Sequence, residues 1–233
     1  MTNQKKVIYL IAGLGSDGSI YKKIKFPEEY EIKHINWVKP KKKEELDHYA
    51  IRLTKQIDLK DDITLIGLSF GGLVAIELAK IISVNKTVLI SSIKTEKEKS
   101  SEMLLASWMK PNRFIPSILA IKFDFWYKWV FGELSGEEVD WITGMTLNID
   151  PDFTDWAIDK ALKWKNNFIP ENIVHLHGDK DNVFPIEYIS NCRVIKGGTH
   201  FMIGNRSEEI SIILSEELLN KDINVSSKHK TIA

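Results

Sequence analysis

The stretch ITLIGLSFGGLVAIELAK covers residues 63–80. A short apolar run leads into Gly67 and Ser69, two more glycines follow, and an apolar pattern with helical spacing continues to Lys80. Strands that are buried on both faces of a parallel sheet are apolar almost throughout. The stretch therefore predicts a buried β-strand, a tight turn that carries a hydroxyl group, and a helix.

The same alternation continues along the rest of the chain. Five more short apolar runs predict strands at 7–13, 31–37, 87–92, 173–178 and 192–197. Helical spacing of apolar residues is found between or after them at 43–57, 73–82 and 207–219. Alternating strands and helices predict an α/β fold with a doubly wound, mostly parallel sheet of about six strands.

The segment 94–167 interrupts this alternation. It has no convincing strand pattern, and six of the seven tryptophans lie in it. We expect a single α/β domain over 1–233, with 94–167 inserted as a helical cap and 222–233 forming a flexible tail. Most of the aromatic side chains should form the core of the cap, while a few could line an apolar substrate pocket.

Composition and charge exclude several classes of function. Lys+Arg and Asp+Glu both count 32, so we expect neither a nucleic-acid partner nor an anionic membrane surface. No apolar run approaches the roughly 20 residues of a membrane span. Cys192 is the single cysteine, so no internal disulfide is possible. The apolar run from Val7 to Ala12 is too short for a signal peptide, so the cytoplasm is the expected location. The sequence does not indicate the oligomeric state.

Gly67–Gly71 matches the pattern G-x-S-x-G between a strand and a helix. In a nucleophile elbow, such a turn exposes the serine hydroxyl and directs the next backbone N–H, here that of Phe70, toward a developing oxyanion. The alternative is that these small residues only allow close packing of the strand and helix. A serine nucleophile also needs an oriented base, so the function of Ser69 depends on residues elsewhere in the chain.

Suitable acids and a base follow the last two predicted strands. Asp179 and Asp181 come directly after the strand 173–178, and His200 follows the strand 192–197. The carboxyl ends of parallel strands share one edge of a sheet, so these residues and Ser69 should lie near one another. From spacing alone, either aspartate could orient His200.

In the order Ser, Asp, His, these motifs resemble the α/β-hydrolase superfamily, and the resemblance covers essentially the whole chain. It implies that the acid is the third residue after Gly178, which favours Asp181 over Asp179. It also implies that the loop after the first strand supplies a second oxyanion N–H, at Leu14. His175 and His177, in or at the end of a strand, are expected to be packing residues.

The resemblance implies a small esterase-like serine hydrolase that cleaves a small to medium carboxylic ester through an acyl-enzyme. A thioesterase or acyltransferase, a carbon–carbon bond hydrolase, and a receptor-like protein that binds a small ligand remain alternatives. No cofactor is implied, and no cluster of side chains has metal-ligand spacing. The expected partner is a small acyl ester.

Overall fold

A computed structural model describes residues 4–109, 130–146 and 150–219. At its centre is a six-stranded sheet in the order β2-β1-β3-β4-β5-β6, in which every neighbouring pair is parallel. The strands are β1 Lys6–Ile11, β2 Glu31–Ile35, β3 Asp62–Leu68, β4 Lys86–Ile90, β5 Ile173–Gly178 and β6 Arg193–Ile195. The predicted six-stranded parallel sheet is confirmed.

Helices connect or follow the strands. In the described part of the chain they are α1 Leu46–Leu53, α2 Phe70–Ala79, α3 Ser101–Met109, α4 Gly136–Thr146, α5 Pro151–Lys163, α6 Met202–Asn205 and α7 Ser207–Leu219. The helix predicted over 73–82 begins earlier, at Phe70, so that it follows Ser69 without an intervening loop.

Alternate residues of the strands enter two apolar cores, one on each face of the sheet. In β1, Val7 and Tyr9 face the core formed with α1, α2 and α5, whereas Ile8 and Leu10 face the core formed with α4, α6 and α7. Because both faces are covered, the strands β1, β3 and β4 are apolar almost throughout instead of alternating with polar residues. This arrangement explains the apolar runs in the sequence.

The inserted segment remains partly outside the described residues. Its described parts contain α3, α4 and α5, whereas 110–129, 147–149 and the tail 222–233 are not described. The boundaries of the cap, and the flexibility of the tail, therefore stay predictions. In the described ranges, no helix is long and apolar enough to cross a membrane.

Candidate active site

Ser69 lies at the corner between β3 and α2 in an unusual backbone conformation. Its φ is 51° and its ψ is −119°, in a region that residues with a side chain rarely adopt. The Ser69 N–H donates to the carbonyl oxygen of Ile90 at 2.9 Å, and the Ser69 carbonyl accepts from the N–H of Gly72 at 2.9 Å. These contacts hold the strained turn at the carboxyl end of the sheet.

The glycines around Ser69 are required by close backbone packing. A Cβ at Gly67 would lie 2.4 Å from the carbonyl oxygen of Gly71, and a Cβ at Gly71 would lie 2.3 Å from that of Ala12. Side-chain atoms cannot approach backbone this closely, so both positions accept only hydrogen. The strand β3 and the helix α2 therefore do pack closely, and this packing also fixes the position of Ser69.

The structure brings the three predicted side chains together. Nε2 of His200 lies 2.9 Å from Oγ of Ser69, and Nδ1 of His200 lies 2.8 Å from Oδ2 of Asp181. An ionised carboxylate can only accept, so Nδ1 of His200 carries the proton and Nε2 is left to accept the Ser69 hydroxyl. Ser69 and His200 are 131 residues apart in the chain.

The Asp181 carboxylate is held in the ionised form. Its side chain is 0% exposed, and its Oδ1 accepts the N–H groups of Val183 and Phe184, each at 2.9 Å. Burial alone would raise the pKa of Asp181, but the neighbouring His200 and the hydrogen bonds lower it below its ordinary value. A buried negative charge therefore faces His200.

Asp179, the alternative acid, points elsewhere. Its Oδ1 accepts the N–H of Gly197 at 2.6 Å, in the loop that leads to His200. The Asp179 N–H also donates to the carbonyl of Ile195 at 3.3 Å. Asp179 thus ties the end of β5 to the end of β6, and it is Asp181 that contacts His200.

The two predicted oxyanion donors belong to segments that lie next to Ser69. Phe70 is the first residue of α2, and the N–H groups in the first turn of a helix have no acceptor within the helix. Leu14 follows Gly13, and a Cβ on Gly13 would lie 3.5 Å from Cβ of Ser69. The loop after β1 thus passes beside the serine, while the use of these two N–H groups stays a prediction.

Two contacts at the site were not predicted from the sequence. Oγ of Ser92, after β4, donates to the carbonyl oxygen of Ser69 at 2.7 Å. Nε2 of His177 lies 3.7 Å from Oδ2 of Asp181. The two-residue spacing between His175 and His177 shows that they share a face of β5, but it does not show that this face leads to the acid.

Two aromatic side chains of the inserted segment pack against the residues that follow Ser69 and His200 in the chain. Beside Ser69, the ring centroid of Phe153 is 6.4 Å from that of Phe70. Beside His200, the centroid of Trp141 is 5.5 Å from that of Phe201. Trp108, Trp126 and Trp129 lie outside the residues whose side chains the structure describes.

A cavity of about 280 Å³ opens next to the loop after β1. Gly15 and Ser16 form one wall, immediately after Leu14, and Ser69 itself does not line the cavity. Trp37, Val38, Met145 and Phe153 contribute apolar surface to the cavity, and Asp17, Lys39 and Asp150 contribute charged side chains. Nε1 of Trp37 donates to the carbonyl oxygen of Ser16 at 3.2 Å, and this hydrogen bond joins Trp37 to the loop after β1.

The described residues contain no group of three or more His, Cys, Asp or Glu side chains placed to hold a metal ion. Cys192 is partly exposed and free of any disulfide. Its partial burial raises the pKa of its thiol. A reactive thiolate needs a lowered pKa, so Cys192 does not have the features of a nucleophilic cysteine.

Comparison with known proteins identifies the fold of the chain. No protein-family model and no curated protein sequence matches the chain. Among solved structures, MenH from S. aureus is 20% identical with a TM-score of 0.70, over 93% of this chain and 94% of that one. An esterase, EaEST, from Exiguobacterium antarcticum is 17% identical with a TM-score of 0.65, over 91% of each chain.

An epoxide hydrolase from Bacillus megaterium is also similar, at 14% identity and a TM-score of 0.66, over 92% of this chain and 94% of that one. The chain has the α/β-hydrolase fold. The resemblance found in the sequence is therefore confirmed at the level of the fold. Proteins that share this fold perform different reactions, so the activity has to be argued from the site.

Proposed function

We propose that this chain is a serine hydrolase that cleaves a small to medium carboxylic ester through an acyl-enzyme. The observation that carries the proposal is the continuous hydrogen-bonded series from Oγ of Ser69 through His200 to the buried Asp181. A serine hydroxyl becomes an effective nucleophile when an oriented imidazole can accept its proton. The strained turn at Ser69 and its glycines support the same assignment.

The proposed reaction begins when Oγ of Ser69 attacks the ester carbonyl carbon. His200 accepts the hydroxyl proton at Nε2, and Asp181 stabilises the resulting imidazolium. The N–H groups of Leu14 and Phe70 bind the negatively charged oxygen of the tetrahedral intermediate. His200 then gives its proton to the alcohol as the carbon–oxygen bond breaks.

Water completes the cycle. His200 takes a proton from a water molecule, which attacks the acyl carbon, and the proton returns to Oγ of Ser69 as the acid leaves. All of these steps use this chain's own residues and water.

The aromatic surroundings support an apolar acyl or alkyl group on the substrate. Phe153 and Trp141 belong to the proposed cap, and they reach the residues next to Ser69 and His200. Neighbours with the same fold include structures described as esterases, which agrees with this substrate class. A cytoplasmic location, as expected from the sequence, also belongs to the proposal.

The substrate class is tested with a panel of p-nitrophenyl esters and acyl-CoA thioesters of increasing chain length. The proposal expects ester hydrolysis by the wild type, with a loss of several orders of magnitude in Ser69→Ala. Faster turnover of the thioesters would instead indicate a thioesterase or acyltransferase. Equal rates for wild type and Ser69→Ala would contradict the role of the serine.

A further inference from the structure

A row of four buried polar side chains lies behind Asp181: His177, His175, Lys94 and Glu98. Nε2 of His177 lies 2.7 Å from the carbonyl oxygen of Phe184, and Nδ1 of His177 lies 3.3 Å from Nε2 of His175. Nδ1 of His175 lies 2.9 Å from Nζ of Lys94. Nζ of Lys94 in turn lies 2.8 Å from Oε1 of Glu98. The proposed reaction uses none of these four side chains.

The two ends of this row fix the direction of every hydrogen bond in it. The Phe184 carbonyl can only accept, so Nε2 of His177 carries a proton and donates to it. The Lys94 ammonium can only donate, so Nδ1 of His175 carries no proton and accepts from it. His175 therefore donates from Nε2 to Nδ1 of His177. Both rings are neutral and share the same tautomer.

All four side chains of the row are buried. The exposed fractions are 3% for Lys94, Glu98 and His175, and 0% for His177. Buried charges are costly unless they are paired and hydrogen-bonded. Glu98 meets this need, because it pairs with the Lys94 ammonium and accepts the Lys94 N–H at 2.7 Å and the Ser190 hydroxyl at 2.8 Å.

His177 reaches the proposed catalytic acid in two ways. Its bond to the Phe184 carbonyl holds the turn whose Val183 and Phe184 N–H groups bind Oδ1 of Asp181. Its Nε2–H also lies 3.7 Å from Oδ2, the oxygen that faces His200. The positive end of an N–H dipole therefore lies near the carboxylate oxygen that contacts His200.

We propose that His177 is a positioning residue for Asp181, and that His175 with the Lys94–Glu98 pair sets the tautomer that this role requires. The inference rests on the proposed function, since it assumes that Asp181 orients His200 in catalysis. The His177 side chain is 0% exposed, so a substrate cannot contact it from the solvent. It acts through the geometry and charge of Asp181.

The charged groups around the rings agree with two neutral imidazoles. Burial lowers the pKa of His177, and His200 lowers it further, against the opposing effects of Asp181 and Glu98. Burial also lowers the pKa of His175 well below its ordinary value, and the neighbouring Lys94 and His177 add to that effect. A second proton on either ring would remove its acceptor nitrogen and so break one of the hydrogen bonds in the row.

Nitrogen NMR of the histidine side chains tests the first half of the inference on the unmodified protein. Long-range ¹H–¹⁵N spectra of ¹⁵N-histidine-labelled protein at pH 6 should show His175 and His177 as neutral rings with the proton on Nε2. A proton on Nδ1 of either ring, or a doubly protonated ring, would overturn the proposed direction. This measurement needs neither a substrate nor a variant.

A matched pair of variants tests the second half. His177→Phe keeps a ring of similar size but removes the donor, whereas His177→Gln keeps an N–H near the position of Nε2. The readout is the rate of Ser69 labelling by a fluorophosphonate probe as a function of pH. Labelling requires neutral His200, so the acidic limb of this profile reports protonation of His200.

We expect His177→Phe to label about ten-fold more slowly, the size of effect that a lost bond to a buried polar group produces. The acidic limb should move to higher pH, because the Asp181 carboxylate stabilises protonated His200 more strongly once the N–H dipole of His177 is removed. His177→Gln should restore both the rate and the limb to near wild-type values. If His177 acted only in folding, the acidic limb of His177→Phe would stay at the wild-type pH.

The outcomes separate the inference from the proposed function. If the wild type is labelled at Ser69 while His177→Phe has an unchanged acidic limb, the positioning role is wrong and the hydrolase proposal stands. If folded wild type is not labelled at all, the proposed function fails first. Should His177→Phe not fold, the NMR tautomers and the profile of His177→Gln still decide, because a Gln variant with the limb shifted upward would contradict the donor role.

Discussion

Oδ2 of Asp181 lies 2.8 Å from Nδ1 of His200, while the carboxylate of Asp179, two residues earlier, binds the N–H of Gly197. The two aspartates thus have different partners although both follow β5. Asp181 can fix the tautomer of His200, and Asp179 can only hold the loop before it. This difference gives a matched pair of variants.

Asp181→Asn should lower kcat by about 10⁴-fold, because an amide in this position favours the wrong tautomer of the base. Asp179→Asn should change kcat by much less, since the amide oxygen can still accept the N–H of Gly197. Steady-state hydrolysis of an active p-nitrophenyl ester measures both. A larger loss in Asp179→Asn would show that the acid has been assigned to the wrong residue.

Gly71→Ala should destabilise the protein strongly. Its Cβ would lie 2.3 Å from the carbonyl oxygen of Ala12, a backbone atom that cannot move aside. We expect at least about 2 kcal/mol of lost unfolding free energy, together with lost activity as the turn at Ser69 shifts.

Gly136→Ala provides the control, since a Cβ at Gly136, at the start of α4, meets nothing within 4 Å. Denaturant unfolding measures both variants. Comparable stability of Gly71→Ala and Gly136→Ala would contradict the packing described around the elbow.

The free energy of unfolding should decrease as the pH falls below about 6.5. In the folded protein the pKa values of His175 and His177 are lowered, whereas in the unfolded chain both titrate near 6.5. The unfolded state therefore binds more protons below that pH, and each imidazole contributes a slope of up to about 1.4 kcal/mol per pH unit.

Denaturant unfolding between pH 5 and 7.5 tests this pH dependence. His177→Gln should show a smaller slope, because one of the two titrating groups is gone. His48→Gln should keep the full slope, because the His48 side chain is 70% exposed. A stability that does not change over this pH range would contradict two buried neutral rings.

The cavity beside the loop after β1 offers a test of substrate size. If part of the acyl chain enters it, Val38→Phe should lower kcat/KM for long-chain p-nitrophenyl esters by about ten-fold or more and leave the acetate ester nearly unchanged. Val38→Ala should not discriminate against long chains. An equal effect of Val38→Phe on short and long esters would show that the acyl group binds elsewhere.

The fold and the three central residues could be predicted because they depend on local patterns. Short apolar runs mark the six strands, four of these runs end at a glycine, and the ends of parallel strands meet at one edge. Ser69, Asp181 and His200 each follow such an end, so their proximity follows from topology. The choice between Asp179 and Asp181 came from the family resemblance, because spacing alone left both possible.

The row behind Asp181 could not be predicted because it depends on side-chain direction and burial. Lys94 and Glu98 lie in a charged stretch, KTEKEKS at residues 94–100, that would normally be solvent-exposed. In the fold, both are covered, and the Lys94 ammonium reaches His175 on the next strand. A pair of histidines on one strand face indicates neither of these contacts.

The most direct test of the central claim is covalent labelling of the folded protein by a fluorophosphonate, read by intact mass and peptide mapping. We predict a single adduct on Ser69 in the wild type, no adduct in Ser69→Ala, and greatly slowed labelling in His200→Ala. An unlabelled wild type with a cooperative unfolding transition, or an adduct on a residue other than Ser69, would contradict the claim that Ser69 is the activated nucleophile.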